Sequence, residues 1–276
     1  MAYEALFAET IHMHGHRGDR IDAYLARPAG PGPYGGVVVI HHMPGWDGPT
    51  KEIARRFAHE GYVAISPNLH FREGKTTPEE NSASIRAAGG MPDDRTMGDV
   101  QGAIDYLRTL PYLNGKVGVI GYCSGGRQSY LAACTLRGLD AAIDCYGGGV
   151  VAKAEELTPR QPVAPIDFTQ NLQIPLLGLF GVEDTRPSPD DTKKTEERRS
   201  GSTARRSSST RTTTPATRSS PSTARTIVRP RRWTGGRRSS PGSPSIFTEN
   251  HLKRRRAAGR RSRHRRPARS TASDEG

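Results

Sequence analysis

The chain has little cysteine and no long apolar run, and these two shortages limit the classes of protein to which it can belong. Three of its 276 residues are cysteines, an odd number in apolar surroundings, which is typical of a reducing cytoplasm rather than of a disulfide framework. No apolar stretch reaches the length of about 18 residues that a transmembrane helix needs. Residues 1–20 lack a basic segment followed by an apolar one, which argues against a secretory signal. We therefore expect a cytoplasmic protein with no membrane partner.

Acidic residues are also scarce, but only in the C-terminal part of the chain. The whole chain carries 41 Lys and Arg against 28 Asp and Glu, a net charge of +13. Residues 1–197 hold 19 basic and 25 acidic side chains, whereas residues 198–276 hold 22 basic and 3 acidic ones. The sequence therefore predicts an acidic body, 1–197, and a basic tail, 198–276. The tail has no sustained apolar run and 26 of its 79 residues are Ser or Thr, so we expect it to be disordered.

The body alternates buried strands with amphipathic helices. Apolar segments predict six strands: IDAYLARP (21–28, expected at the sheet edge), GGVVVIHH (35–42), YVAISP (62–67), KVGVIGY (116–122), LDAAIDCYGG (139–148) and IPLLGLFG (174–181). Apolar residues at helical spacing predict helices over residues 50–62, 97–110 and 125–134. Strands separated by helices imply a mostly parallel sheet with helices on both faces. Such sheets place their active sites at the carboxyl ends of the strands.

The segment GYCSGG, residues 121–126, lies between a predicted strand and a predicted helix. Gly-x-Cys-x-Gly in this context is a nucleophile elbow, a turn so tight that the flanking residues must be small. The elbow would raise Cys123 above the sheet, with the N–H of Ser124 facing an oxyanion. The N-terminus of the helix would favour the thiolate. The alternative is a tight turn around a buried cysteine, and the strand–turn–helix context favours the nucleophile.

Four segments in this order, VVVIHHMPGW, GYVAISPNLHFR, KVGVIGYCSGGR and LLGLFGVEDTRPSP, resemble the dienelactone hydrolases (carboxymethylenebutenolidases). These proteins are α/β-hydrolases with a Cys–Asp–His triad, and the resemblance covers residues 5–197. It implies that the chain hydrolyses an ester or lactone, a small-molecule substrate, without a metal or an organic cofactor. Cys123 then corresponds to the nucleophile, and Asp184 to the acid that orients the histidine. Three neighbouring carboxylates compete with Asp184, whose position at the end of a strand favours it: Glu183, Asp190 and Asp191.

The resemblance assigns three further residues. The backbone N–H of Met43 corresponds to the second oxyanion donor. Arg72 is similar to an arginine that anchors a substrate carboxylate, with a solvated loop charge as the alternative. His42 stands where dienelactone-cleaving members carry a glutamate that regulates the cysteine. We therefore expect His42 either to support the thiolate differently or to pack beside the substrate, and the natural substrate stays open.

A separate group of histidines lies near the N-terminus. His12, His14 and His16 would share one face of an extended chain and could hold a metal. No carboxylate or cysteine completes the set, and GHRGD is typical of a turn between two edge strands. We therefore predict no metal site.

The triad histidine has no counterpart in the sequence as written. The resemblance places it after the last strand, in a motif close to Y-x-x-A-G-H-x-F. His251 and His264, the histidines downstream of Asp184, lie instead in arginine-rich tracts.

A change of reading frame would account for this difference. Shifted by one base, TTTPATRSS (212–220) can encode YDDAGHAFF, and its histidine codon straddles the codons of Ala216 and Thr217. The same shift can restore a strand before this motif and a helix after it. We therefore hypothesise a frame change near residues 197–199. The last strand, the closing helix and the histidine expected near Thr217 would then be lost, and the hydrolase impaired.

Two other functions compete with an impaired cysteine hydrolase. If the tail is genuine, a hydrolase-like body carries a basic arm that binds nucleic acid or an acidic partner. If Cys123 only packs or senses oxidants, the body is a non-catalytic scaffold. The elbow together with Asp184 favours the hydrolase.

Overall fold

A computed structural model of the chain describes residues 3–74, 77–200 and 208–212. Most of the predicted tail, residues 213–276, lies outside the described residues. The disorder expected there therefore stays a prediction, as does the division into a body and a tail. The residues on which the frame-change hypothesis depends also lie outside the described residues: Ala216, Thr217, His251 and His264.

The strands of the described chain form one eight-stranded sheet. They are β1 (Leu6–His14), β2 (Arg20–Pro28), β3 (Tyr34–Ile40), β4 (Tyr62–Pro67), β5 (Leu113–Tyr122), β6 (Ala141–Cys145), β7 (Leu176–Gly181) and β8 (Ser208–Thr212). Their order across the sheet is β1-β2-β4-β3-β5-β6-β7-β8. The strand β2 runs antiparallel to β1 and β4, and the remaining pairs are parallel. The predicted mostly parallel sheet is confirmed.

Helices lie on both faces of the sheet, also as predicted. The described α-helices are α1 (Gly48–His59), α2 (Pro78–Ala87), α3 (Asp93–Thr109), α4 (Ser124–Thr135) and α5 (Pro189–Ser200). Small residues of α1, Ala54 and Ala58, pack with Val37 and Val39 on one face. The helices α3 and α4 pack with Val38 and Ile40 on the opposite face. None of the described helices combines the length and apolarity needed to cross a bilayer.

The strand β2 is not at the edge of the sheet, so that prediction is wrong. It lies between β4 and β1, and β1 pairs with it from Leu6↔Pro28 to His14↔Arg20. Most residues of β1 are exposed, which is why its sequence carries no buried-strand signal. The turn predicted at GHRGD is confirmed, since a short 3-10 turn spans His16–Gly18.

The expected loss of the last strand is also wrong. The literal sequence SSTRT forms β8, which pairs in parallel with β7 from Leu177↔Ser208 to Gly181↔Thr212. Strand pairing uses backbone groups, so a polar sequence can extend the sheet at its edge, and β-branched threonine suits this conformation. Helix α5 continues to Ser200, so regular structure extends past residue 197.

Candidate functional site

The thiol of Cys123 lies exposed at the turn between β5 and α4. Its backbone adopts φ 55° and ψ −118°, a conformation that non-glycine residues rarely adopt and that is often found at functional sites. The turn is held by the Cys123 N–H, which donates to the Cys145 carbonyl at 3.0 Å. The Gly126 N–H donates in turn to the Cys123 carbonyl at 2.9 Å. The buried-thiol alternative therefore does not describe Cys123.

The glycines around Cys123 are required by the close approach of the backbone. A β-carbon on Gly121 would lie 1.8 Å from the carbonyl oxygen of Gly125. One on Gly125 would lie 2.5 Å from the carbonyl oxygen of Ile40, and one on Gly126 2.4 Å from Oδ1 of Asp144. Real β-carbons do not approach other atoms so closely, so the prediction of a turn that needs small residues is confirmed.

The other two cysteines differ from Cys123 in their surroundings. Cys134 on α4 is 5% exposed and Cys145 on β6 is 4% exposed, so both thiols are buried as expected. Burial raises the pKa of the Cys134 thiol to about 12 and that of Cys145 still further. Neither thiol can act as a nucleophile near neutral pH.

Two backbone N–H groups near the elbow are available to a ligand. Ser124 is the first residue of α4, and Met43 lies in a turn after β3 that is closed by the Gly45 N–H and the His42 carbonyl at 3.0 Å. Neither the Ser124 nor the Met43 N–H donates to another described residue. This supports the predicted oxyanion donors, which stay predictions.

Asp184 follows β7 at the carboxyl edge of the sheet. Its Oδ2 accepts a hydrogen bond from the Gly181 N–H at 2.8 Å, which fixes the carboxylate in a tight turn. One strand, β6, separates β7 from β5, so the ends of these strands lie about 10 Å apart. At that separation a third group must bridge the carboxylate of Asp184 and the thiol of Cys123.

The rival carboxylates are placed less favourably. Asp191 accepts hydrogen bonds from the N–H and Oγ of Ser188, at 3.0 and 2.8 Å, and so stabilises the first turn of α5. Glu183 and Asp190 are exposed side chains. The positions of these carboxylates favour Asp184 as the acid that would orient the base, as its place at the end of a predicted strand also did.

The sequence reasoning missed Tyr146, which directly follows β6, the strand between β5 and β7. Its φ is 44°, again positive for a non-glycine residue, and its side chain is 44% exposed. Partial burial of the phenol raises the pKa of Tyr146, with further contributions from Cys145, Cys123 and Asp184. Tyr146 therefore lies within electrostatic range of Cys123 and Asp184. An aromatic residue right after a buried strand was the available signal.

Arg72 is held by two carboxylates. Its Nε donates to Asp19 at 2.8 Å, and its two terminal nitrogens donate to the oxygens of Asp99 at 2.8 and 3.1 Å. These hydrogen bonds, those to Asp99 first, raise the pKa of Arg72. Asp99 is completely buried, so the arrangement ties the loop after β4 to α3. The role of Arg72 in substrate binding stays a prediction, and a substrate carboxylate would have to compete with these partners.

His42 is paired with Asp47. The Nε2 of His42 lies 2.7 Å from Oδ2 of Asp47, and the His42 side chain is 34% exposed. The other carboxylate oxygen of Asp47 accepts from the Thr50 N–H at 2.9 Å and caps α1. Burial alone would raise the pKa of Asp47, but the hydrogen bonds from Thr50 and His42 outweigh it and hold the pKa below its ordinary value.

Two further histidines, His41 and His70, lie beside this pair and are buried. Their ring centroids are 4.6 Å apart, and His41 donates from Nδ1 to the His42 carbonyl at 2.8 Å while accepting at Nε2 from the Leu69 N–H. Burial lowers the pKa of His41 to about 3 and that of His70 to about 4. Both rings are therefore neutral near pH 7.

The N-terminal histidines have separate partners. His12 lies 2.7 Å from Asp22 on the neighbouring strand, and Nδ1 of His14 lies 3.1 Å from the Gly18 carbonyl. His16 has its ring 3.9 Å from Asp94. Within the described ranges, no three His, Cys, Asp or Glu side chains gather in a way that could hold a metal ion.

Comparison with known proteins gives a family match. The model described as the dienelactone hydrolase family matches residues 21–206, which include the elbow and Asp184. Among solved structures, a provisionally named dienelactone hydrolase from Klebsiella pneumoniae is 26% identical with a TM-score of 0.67. The similarity covers 75% of this chain and 85% of that one.

Curated relatives agree with the family match. A protein of Synechocystis sp., provisionally named a carboxymethylenebutenolidase, is 34% identical over 185 residues, which are 64% of this chain and 73% of that protein. A protein with the same provisional name from Yersinia pestis is 33% identical over 172 residues, 61% of this chain and 63% of that protein. The chain spans only 56% to 62% of the length of several further curated relatives.

Proposed function

Because the chain belongs to the dienelactone hydrolase family, we propose that it hydrolyses ester or lactone bonds with Cys123 as the nucleophile. The observation that carries this proposal is the elbow. It presents an exposed thiol at the carboxyl edge of the sheet, in a strained conformation between glycines that no larger residue could replace. A cysteine that only filled space would not need this geometry.

The proposed reaction follows from the positions of these groups. The Cys123 thiolate attacks the carbonyl carbon, and the N–H groups of Ser124 and Met43 stabilise the negative charge that develops on the carbonyl oxygen. The C–O bond breaks, its electron pair goes to the leaving oxygen, which takes up the proton that the thiol gave to the base, and an acyl-enzyme forms. Water then attacks the thioester and releases the acid. Both half-reactions need a base that moves a proton, and Asp184 would orient it.

The position of β8 supports a base supplied by the chain that follows it. Thr212, the last residue of β8, pairs with Gly181, whose N–H is bound by Asp184. The carboxyl end of β8 therefore lies beside the turn that holds the proposed acid. We propose that a histidine near residue 217, as in the frame-restored sequence, supplies the base. In the chain as written, Ala216 and Thr217 cannot act as a base, so we propose a frame change near residues 197–199 and impaired turnover.

Hydrolysis of p-nitrophenyl acetate tests the proposal. We expect slow turnover by the chain as written and turnover at least about a hundredfold faster by a version frame-restored from codon 198, since general base catalysis contributes about 10²–10⁴. Cys123→Ala should abolish activity in the restored version. Comparable turnover by the two chains would refute the missing-base argument. Full activity of Cys123→Ala would refute Cys123 as the nucleophile, whereas no turnover by the frame-restored chain would favour the non-catalytic scaffold.

A further inference from the structure

We propose that the ring of Tyr146 forms one wall of the substrate site and selects esters whose carbonyl carbon carries an aromatic group. This inference rests on the proposed function and deepens it, because it concerns which substrates the Cys123 site accepts. Three observations carry it: the hydrogen bonds that fix Tyr146 beside Cys123, the strained backbone of Tyr146, and the exposure of its ring on the side away from the proposed oxyanion donors.

Backbone hydrogen bonds join Tyr146 to both neighbouring strands. The carbonyl of Cys145, which belongs to the same peptide group as the Tyr146 N–H, accepts from the Cys123 N–H at 3.0 Å. The Tyr146 N–H donates to the Leu179 carbonyl of β7 at 2.8 Å. One peptide group therefore links the nucleophile elbow to the strand that leads to Asp184. The position of Tyr146 relative to Cys123 is thus set by direct hydrogen bonds.

The backbone of Tyr146 is strained, and a buried group maintains the strain. Its φ of 44° is left-handed, a conformation that is costly for a residue with a β-carbon and ordinary for glycine. The next residue, Gly147, donates its N–H to the buried Asp144 at 2.8 Å, which holds the turn after β6 closed. Glycines occupy residues 147–149, yet the strained position itself holds a tyrosine. Strain that the surroundings maintain points to a functional role for the side chain.

The ring of Tyr146 lies at the carboxyl edge of the sheet, where a substrate would enter. Its centroid is 6.3 Å from that of Tyr122, the residue before Cys123, and the two ring planes are tilted by 58°. This separation is typical of aromatic pairs. Tyr146 is nevertheless 44% exposed, so part of its ring remains accessible to a ligand. Its phenol also lies within electrostatic range of Cys123 and Asp184, so a group bonded to the Cys123 sulfur would lie beside this ring.

The proposed oxyanion donors determine which part of a substrate faces Tyr146. Met43 follows β3 and Tyr146 follows β6, and these two strands lie on opposite sides of β5. A carbonyl oxygen directed at the N–H groups of Ser124 and Met43 therefore points away from Tyr146. Because a carbonyl carbon is planar, its other substituents extend toward β6. An aromatic substituent would stack on the exposed ring there, and such pairs gain free energy beyond the area that they bury.

Alkylation of Cys123 tests this on the full chain, because it needs no turnover. The rates would be compared for iodoacetamide and N-phenyl iodoacetamide, which differ by one phenyl group. Both react with the same thiolate, so the ratio of the two rates cancels any change in the thiol pKa. We expect this aryl preference to exceed that of N-acetylcysteine about three- to tenfold, the effect of one aromatic pair.

Variants of Tyr146 separate its ring from its hydroxyl. Tyr146→Ala should lower the aryl preference to the value of N-acetylcysteine, whereas Tyr146→Phe should retain it. The matched control is Phe7→Ala, which removes an aromatic residue that is 54% exposed but lies on the edge strand β1, and it should leave the preference unchanged. In the frame-restored chain, Tyr146→Ala should lower kcat/KM for p-nitrophenyl benzoate at least about threefold more than for p-nitrophenyl acetate.

Two further measurements guard against a folding defect. Peptide mass mapping should find the label on Cys123 alone, because Cys134 and Cys145 are buried in the folded chain. Tyr146→Gly also removes the ring but relieves the backbone strain, so it should fold and show the same low aryl preference as Tyr146→Ala.

An aryl preference of Tyr146→Gly equal to that of the parent would overturn the inference. A loss in Tyr146→Phe as large as in Tyr146→Ala would also overturn it, since the hydroxyl rather than the ring would then be responsible. The proposed function fails separately, if Cys123→Ala of the frame-restored chain still hydrolyses p-nitrophenyl acetate.

Discussion

Asp144 shows how strongly burial acts on a single residue in this fold. It lies on β6 below the elbow and is 1% exposed. One carboxylate oxygen accepts from the Gly147 N–H at 2.8 Å, and the other has no hydrogen-bond partner in the described chain. Burial raises the pKa of Asp144 to about 7, against the smaller lowering effects of Gly147 and Arg199. A buried carboxyl group that stays protonated up to neutral pH makes stability depend on pH.

The direction in which stability changes with pH follows from the pKa of Asp144 in the unfolded and in the folded chain. In the unfolded chain Asp144 ionises near its ordinary pKa of about 3.9, whereas in the folded chain it ionises at about 7. Between these values the unfolded chain has lost the proton that the folded chain keeps, so raising the pH favours unfolding. The stability that Asp144 contributes is present below its ordinary pKa and is lost as the pH rises through about 7.

The variant Asp144→Asn tests this, since its amide oxygen can still accept from Gly147 but cannot ionise. We expect its free energy of unfolding, relative to the parent, to increase by at least about 1 kcal/mol from pH 5 to pH 8. Urea unfolding at the two pH values measures it, with the exposed Asp190→Asn as control. A constant difference between variant and parent at both pH values would contradict the prediction.

At the scale of elements, the strand β5 and the helix α4 approach each other so closely at the elbow that only glycine fits at position 121. Gly121 and Gly118 lie on the same strand three residues apart, yet their surroundings differ. A β-carbon would meet the Gly125 carbonyl at 1.8 Å from Gly121, but from Gly118 it would make ordinary contact with the Ala141 carbonyl at 3.6 Å. Neither glycine has a positive φ, so the difference is one of space alone.

The pair of variants Gly121→Ala and Gly118→Ala measures what the elbow requires. We expect Gly121→Ala to lower the free energy of unfolding by about 2 kcal/mol or more, because the backbone of α4 would have to move. Gly118→Ala should change it by less than about 1 kcal/mol. Denaturant unfolding of both variants provides the comparison. Equal losses would show that the approach of α4 to β5 is not what selects glycine.

At the scale of the whole molecule, the two signs of charge are segregated along the chain. Residues 1–197 carry a net charge of −6 and residues 198–276 a net charge of +19. After β8, residues 213–276 still contain 17 Lys and Arg against 3 Asp and Glu. Such a density of arginine binds phosphates whatever its origin, so weak binding alone does not establish a nucleic-acid function.

The salt dependence of DNA binding distinguishes a genuine basic arm that binds nucleic acid from an out-of-frame tail. We expect the full chain to bind random-sequence duplex DNA at about 50 mM salt and to lose at least about a hundredfold in affinity by 200 mM. A chain ending at Thr212 keeps β8 and should not bind at either concentration. Fluorescence anisotropy measures both. Tight binding that persists at 200 mM salt would favour a genuine basic arm over an out-of-frame tail.

Local signals in the sequence were enough to predict the sheet and the elbow. YVAISP at 62–67 coincides with β4, and the β-branched run of β3 is buried on both faces as its composition indicates. The glycines around Cys123 identify a tight turn because only their missing side chains allow it. These features depend on residues adjacent in the chain, so periodicity and spacing reveal them.

Other features depend on contacts between distant parts of the chain, and the sequence did not predict them. The short helix α2 carries a weak apolar pattern and was not predicted as an element, and the exposed strand β1 was expected only as an edge strand before the turn at GHRGD. Arg72 is bound by Asp19 and Asp99, which lie 53 and 27 residues away in the chain. The polar strand β8 forms because the exposed backbone of β7 offers it a partner.

The sequence by itself therefore determined the family, the mostly parallel sheet and the nucleophile elbow, because each is encoded in contiguous residues. Only the tertiary structure decided the charge state of Asp144, the partners of Arg72 and the pairing of His42 with Asp47. Burial, ion pairing and strand register bring these groups together across the sheet, and no local pattern specifies which distant groups will meet.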